Sequence, residues 1–202
     1  MQSIEILEKL ISFPTVSKDS NMDLIEFVEG YLTEHGISSI RVPNKKGTKA
    51  NLYATIGPME EGGIILSGHT DVVPVEGQPW DTDPFVLTEK EDRLYGRGTC
   101  DMKAYAAIAL SLIPEMKNLK KPIHLAFSYD EEIGCLGAPG MIADLKENLP
   151  KPRAVIVGEP TEMKVVTAHK GIVALTTTVT GHEAHSSPVS YTHLTLPTKR
   201  IV

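Results

Sequence analysis

Cysteine is nearly absent: Cys100 and Cys135 are the two in 202 residues. Two thiols cannot make the disulfide framework of a small secreted domain, and their scarcity suits a reducing, cytoplasmic setting. Basic charge is also short. Lys and Arg number 20 against 26 Asp and Glu, a formal net charge of −6. That balance gives no electrostatic case for nucleic acid or an anionic membrane as partner. Long apolar runs are missing too: none approaches the roughly 18 residues of a membrane span. The amphipathic start MQSIEILEKL has no signal-peptide core. Repeats of 20–50 residues and low-complexity blocks are likewise absent. What remains is ordinary globular usage, 41% hydrophobic and 23% charged, which argues against wholesale disorder.

Periodicity supplies the elements. Ile4, Ile6, Leu7, Leu10 and Ile11 have helical spacing, ended by Pro14. A second helix carries Leu24, Ile25, Phe27, Val28, Tyr31 and Leu32 on one face, with Ser20 and Asp23 spaced as a capping box and Gly36 as its stop. Apolar runs of strand length follow at 51–56, 64–66, 122–128 and 153–157, and helical stretches at 102–117 and 140–148 lie among them. The alternation predicts an α/β fold with a largely parallel sheet flanked by helices. After Lys170 the alternating, Thr-rich stretch 172–179 reads as a strand opening a second domain.

Charged residues gather just beyond these strands. Ser67-Gly68-His69-Thr70-Asp71 follows the second, Tyr129-Asp130-Glu131-Glu132 the third and Gly158-Glu159-Pro160 the fourth. Asp101 follows the Gly96-Arg97-Gly98 loop at the start of a helix. In an open α/β sheet the carboxyl edge is where ligands bind. Taken singly, each residue has an ordinary alternative: a loop histidine, a helix cap, a solvated acidic pair, a turn. Together they offer nitrogen and oxygen ligands suited to zinc. Asp101 can bridge two cations, Asp71 can orient the His69 ring, and one of Glu131 and Glu132 can bind metal while the other stays free as a base. Among weaker signals, Cys135 reads as a small buried residue and His124 as structural.

SGHTDVVP (67–74), GRGTCDMKA (96–104), YDEEIG (129–134) and GEPT (158–161) together resemble the M20-type co-catalytic zinc amidohydrolases and peptidases. The resemblance covers about residues 1–188. PWDTDPF (79–85), LYGRGTCDMKA (94–104), GEPT and AHKG (168–171) are most similar to the acetylornithine deacetylases within that group. It implies a zinc-peptidase-like catalytic domain over 1–171 and the start of an α+β lid or dimerisation domain over 172–188. His69, Asp101 and Glu159 would hold one Zn2+ (or Co2+), and Asp101 and Glu132 the second. Glu131 would be the general base and acid, and Asp71 would orient His69. His185, in GHEAHSS, would reach the active site of the partner in a homodimer. The implied substrate is a small N-acyl amino acid, with N-acetylornithine first and, as the alternative, succinyl-diaminopimelate or the substrate of another M20 aminoacylase or carboxypeptidase; a non-catalytic binding module on the same scaffold is the reading from a different class.

The sequence departs from that pattern twice. The family takes its last metal ligand from a histidine beyond the lid, and none here can be assigned that part. The stretch 189–202 (VSYTHLTLPTKRIV) resembles a translated sequencing adapter, so a non-native tail is expected there and His193 is given no role. On this reading the chain is the N-terminal part of an enzyme and has little hydrolase activity by itself.

Overall fold

A computed structural model describes residues 1–168, 170, 171, 173 and 175–178. It divides into two compact units, Met1–Lys164 and Val165–Val202. The described elements of the first unit are, in chain order, α1 (Ser3–Ser12), α2 (Met22–Glu34), β1 (Ser39–Pro43), β2 (Ala50–Ile56), β3 (Ile64–His69), β4 (Thr88–Lys90), β5 (Arg93–Tyr95), α3 (Ala104–Ser111), β6 (Ile123–Ser128), α4 (Ala138–Asn148) and β7 (Ala154–Val157).

Five strands form one sheet in the order β1-β2-β6-β3-β7. β3 pairs parallel with both β6 and β7, while β2 runs antiparallel to β6 and to β1. The α/β architecture is therefore as the sequence implies, and the sheet is mixed, with its parallel half at β6-β3-β7. β1 and the β4–β5 hairpin escape sequence reading for a local reason. β1 is short and only part-buried. The hairpin turn uses Glu91 and Asp92, both at positive φ, without the glycine that normally marks such a turn.

Alternation along the strands loads the two faces separately. Leu52, Ala54, Ile56, Leu125 and Phe127 pack with the apolar faces of α1, α2 and α3. Tyr53, Ile65 and Ala126 pack with Met141 of α4. Among the described residues β7 is an edge strand, and its Val155, Ile156 and Val157 are 54, 47 and 57 % exposed. The apolar groove between this strand and α4 has a volume of about 760 Å³. Among the described residues no helix is long and apolar enough to cross a membrane.

α1 carries the expected apolar stripe and ends before Pro14, and α2 ends as expected, with the Gly36 N–H bonded to the Thr33 carbonyl. The expected Ser20–Asp23 capping box does not form: Asn21 is the cap residue, and Ser20 Oγ accepts from the Met22 N–H. The helix expected over 102–117 is shorter. A wide turn spans Thr99–Lys103, with Asp101 (φ −125°, ψ 100°) and Met102 (φ −135°, ψ 32°) far from helical. The α-helix starts at Ala104, so Asp101 is not its cap; Pro114 then sits in a short 3-10 turn, Ile113–Glu115, that ends it. In the second unit, the described residues of the stretch 172–179 form no strand, and Val173 and Leu175 are 83 and 87 % exposed. A one-sided strand forms only where a neighbour pairs its backbone, and among the described residues none pairs with it. His185, the segment 189–202 and most of the expected second domain lie outside the described residues.

His124 is structural, as expected. It is fully buried in β6, and Nδ1 shares a 2.9 Å hydrogen bond with Thr55 Oγ1, while Nε2 has no partner among the described residues. Burial lowers its pKa below 6.5. The unfolded chain then binds the proton more readily, so stability falls as pH drops through 6.5 toward the depressed value. The urea midpoint of the wild-type chain is expected to fall more between pH 7.5 and 5.5 than that of His124→Gln. Equal slopes would show that this imidazole does not contribute.

Candidate metal centre

Parallel pairing brings the carboxyl ends of β3, β6 and β7 to one edge. The Thr70 N–H donates to the Ser128 carbonyl and the Gly158 N–H to that of Ser67, which locks the three ends in register. β3 ends in His69. Glu131 and Glu132 follow β6 by three and four residues, and Glu159 follows β7 by two. The turn carrying Asp101 reaches the same edge. Gly98 permits this approach: it has φ +89°, and a Cβ there would stand 2.9 Å from Val72 Cγ1.

His69 is the hub, 2 % exposed. Its Nδ1–H donates to the Asp71 carbonyl oxygen at 2.9 Å, with Asp71 Oδ1 at 3.5 Å. Since that carbonyl can only accept, the neutral ring keeps its lone pair on Nε2. Nε2 faces Asp101 Oδ1 at 3.0 Å, Glu159 Oε1 at 3.8 Å and Glu131 Oε2 at 3.9 Å. The side chains of Asp101, Glu131 and Glu159 are 46, 36 and 37 % exposed, so the acidic side of the cluster is open to solvent and ligand. Asp71 joins the two halves: Oδ1 accepts from the Glu131 N–H at 3.0 Å and Oδ2 from the Glu132 N–H at 3.2 Å.

The electrostatics are those of a crowded anionic site. Burial opposes protonation of His69, but Asp71, Glu159 and Asp101 outweigh it and push the pKa to about 9. Burial raises Glu132, and Asp101 raises it further. Burial also raises Glu159; His69 opposes, while Asp101 and Glu131 add to the rise. For Asp71 burial is outweighed by hydrogen bonds from His69, Ser17 and the Glu131 N–H, which hold its carboxyl below the usual value. Five carboxylates, those of Asp71, Asp101, Glu131, Glu132 and Glu159, surround one imidazole, and Glu132 and Glu159 are destabilised by burial and by Asp101 and Glu131. A divalent cation relieves that repulsion, and the donor set fits one. Two three-residue groups have ligand atoms all within 4.8 Å of one another: His69, Glu131 and Glu159, and His69, Asp101 and Glu132.

All the candidate residues read from the sequence within the described part thus converge: His69, Asp71, Asp101, Glu131, Glu132 and Glu159. Both geometric groups share His69, whereas the sequence reading made Asp101 the shared ligand. Cys135 is a correction. It is exposed, in the loop after Glu132, and its Sγ lies 3.4 Å from Glu131 Oε1. Its neighbours in sequence are apolar, but the turn at Gly134 carries the segment outward. Three residues go unnoticed in the sequence because no spacing marks them. Ser17 donates to Asp71 Oδ2 at 2.6 Å. Lys49 pairs with Asp130. Buried Lys103 donates to the carbonyls of Leu10 and Phe13 at 2.9 and 2.8 Å, tying the Asp101 turn to the end of α1; burial lowers its pKa to about 7, against an opposing pull from Asp71.

Residues 65–198 match the profile of Peptidase family M20/M25/M40. The chain belongs to this family. Over 194 residues it is 40% identical to an acetylornithine deacetylase of Buchnera aphidicola subsp. Schizaphis graminum, covering 91% of this chain and 49% of that protein. An acetylornithine deacetylase of Pasteurella multocida is 37% identical over 196 residues, with 93% and 50% covered. The chain thus spans about half the length of the curated relatives it matches. Its fold is that of an M20 metallo-carboxypeptidase from Sulfolobus solfataricus, with a TM-score of 0.66, 22% identity, and 78% of this chain and 37% of that one covered.

Proposed function

We propose that this chain is the metal-binding half of a hydrolase that removes the acyl group from a small N-acyl amino acid, with N-acetylornithine as substrate. The convergence of His69, Asp101, Glu131, Glu132 and Glu159 on one sheet edge carries the reading. The deacetylase relatives at 34–40% identity favour the substrate.

His69, Asp101, Glu132 and Glu159 hold the cations, two zinc or cobalt ions in the whole enzyme. Bound there, the cations supply positive charge that polarises an amide carbonyl and acidifies a water molecule. Glu131 is open to solvent and held by its own backbone N–H on Asp71, so its carboxylate can accept a proton from the attacking water. It then returns that proton to the leaving amine nitrogen as the C–N bond breaks. Asp71 keeps Nδ1 of His69 protonated and Nε2 free for a cation. His185 would complete the site from the partner subunit of a homodimer. Two free, exposed cysteines fit a cytoplasmic enzyme.

The experiment fuses this chain to the downstream half of the Pasteurella multocida relative and assays acetylated against succinylated substrates. The expected result is zinc- or cobalt-dependent release of acetate from N-acetylornithine, with kcat/KM about 100-fold above that for succinyl-diaminopimelate, a gap of about 2.7 kcal/mol in transition-state binding. Preference for the succinylated substrate would overturn the substrate assignment. Activity unaffected by Glu131→Gln would overturn the mechanism.

A further inference from the structure

We infer that Lys49 and Ser17 are positioning residues for the metal centre, holding the Glu131–Glu132 loop in the geometry that binds a cation; this rests on the reading of the centre given above. Lys49 immediately precedes β2, and its side chain is only 12 % exposed. Its Nζ donates to Asp130 Oδ1 and to the Ser17 carbonyl. Ser17 Oγ donates to Asp71 Oδ2 at 2.6 Å. Asp71 in turn receives the Glu131 and Glu132 N–H groups. The contacts close a ring: Lys49, Ser17, Asp71, the Glu131–Glu132 backbone, Asp130 and back to Lys49.

Each member has a physical task. Asp130 has φ +57°, a left-handed conformation that a side chain disfavours. It is the hinge that turns the chain from β6 into the glutamate pair. Lys49 fixes this hinge through the Asp130 side chain, while Asp71 fixes the next two residues through their N–H groups. Ser17 ties both clamps together, offering its carbonyl to one and its hydroxyl to the other. A buried ion pair is a weak source of net stability because both partners lose hydration. What this one supplies is placement: Lys49 is the cation that faces the Asp130 carboxylate among the described residues, and without it the hinge can relax with Glu131 and Glu132 on it.

The test uses the whole chain. Zinc affinity is measured by competition with a chromophoric chelator, and the site is read by the cobalt(II) d–d absorption band, for wild type, Lys49→Met, Lys49→Arg and Ser17→Ala. Circular dichroism monitors folding. Lys49→Met and Ser17→Ala are expected to weaken zinc binding by about 10-fold or more and to change the cobalt band, with Lys49→Arg restoring much of both. A purely structural role would lower the melting temperature and leave the cobalt band of the folded variant unchanged. If Lys49→Met fails to fold, Ser17→Ala, which loses one hydroxyl, decides the matter. A wild-type chain that binds zinc while the folded variants match its affinity and spectrum overturns this proposal alone. A wild-type chain that takes up neither metal overturns the metal-centre reading, and this proposal with it.

Discussion

Asp71→Ala is expected to lower zinc affinity by about 100-fold and to destabilise the folded chain by about 3–5 kcal/mol. The size follows from how much one carboxylate does. It is 2 % exposed and accepts from Ser17 Oγ, the Glu131 N–H and the Glu132 N–H, while lying 3.5 Å from His69 Nδ1. Removing it leaves two backbone donors and a hydroxyl without their acceptor, in a place where water has little access. It also frees the two glutamates from His69, so ligands from β3 and from the β6 loop no longer share one anchor. Isothermal titration with zinc and urea unfolding measure the two effects. Zinc affinity within 3-fold of wild type in a folded Asp71→Ala would show that the metal site does not depend on this bridge.

Phe127→Ala is expected to destabilise the folded chain by about 3–5 kcal/mol through its packing. Phe127 is 1 % exposed on the central strand β6, between Leu52 of β2 and Gly68 of β3. Its ring packs in the cluster formed with α1, α2 and α3. The strands on both sides are fixed by backbone pairing, so the space left by the ring closes only in part. For a unit of this size the melting temperature should fall by about 10 °C. A drop under 3 °C would mean that the core collapses into the gap. The same variant should weaken zinc binding, because Ser128 and the loop bearing Glu131 continue directly from Phe127.

The legible parts of the fold were those in which one local signal is enough. The apolar stripe of Ile6, Leu7, Leu10 and Ile11 specifies α1, and continuous apolar runs specify β2, β6 and β7. Elements without such a signal were not legible. β1 alternates weakly, and the turn of the β4–β5 hairpin rests on Glu91 and Asp92 rather than on glycine. The end of the helix reading at Ala104 fails for another reason: Met102 and Lys103 have helical propensity, but Asp101 must leave the helix to reach His69, and tertiary contacts override propensity.

By itself the sequence determined which groups are present and where each stands relative to its strand: one histidine and several acids just past apolar runs, in the order of a known family. Spacing along the chain carries that information because strand ends fall where apolar runs stop. The tertiary structure alone decided what lies beside what. It set His69 between the two clusters, turned Cys135 outward, and brought Ser17 and Lys49, 54 residues before Asp71 and 81 before Asp130, to the back of the glutamate loop. Contacts across such separations are created by sheet register and helix packing, and a chain of side-chain types does not encode them locally.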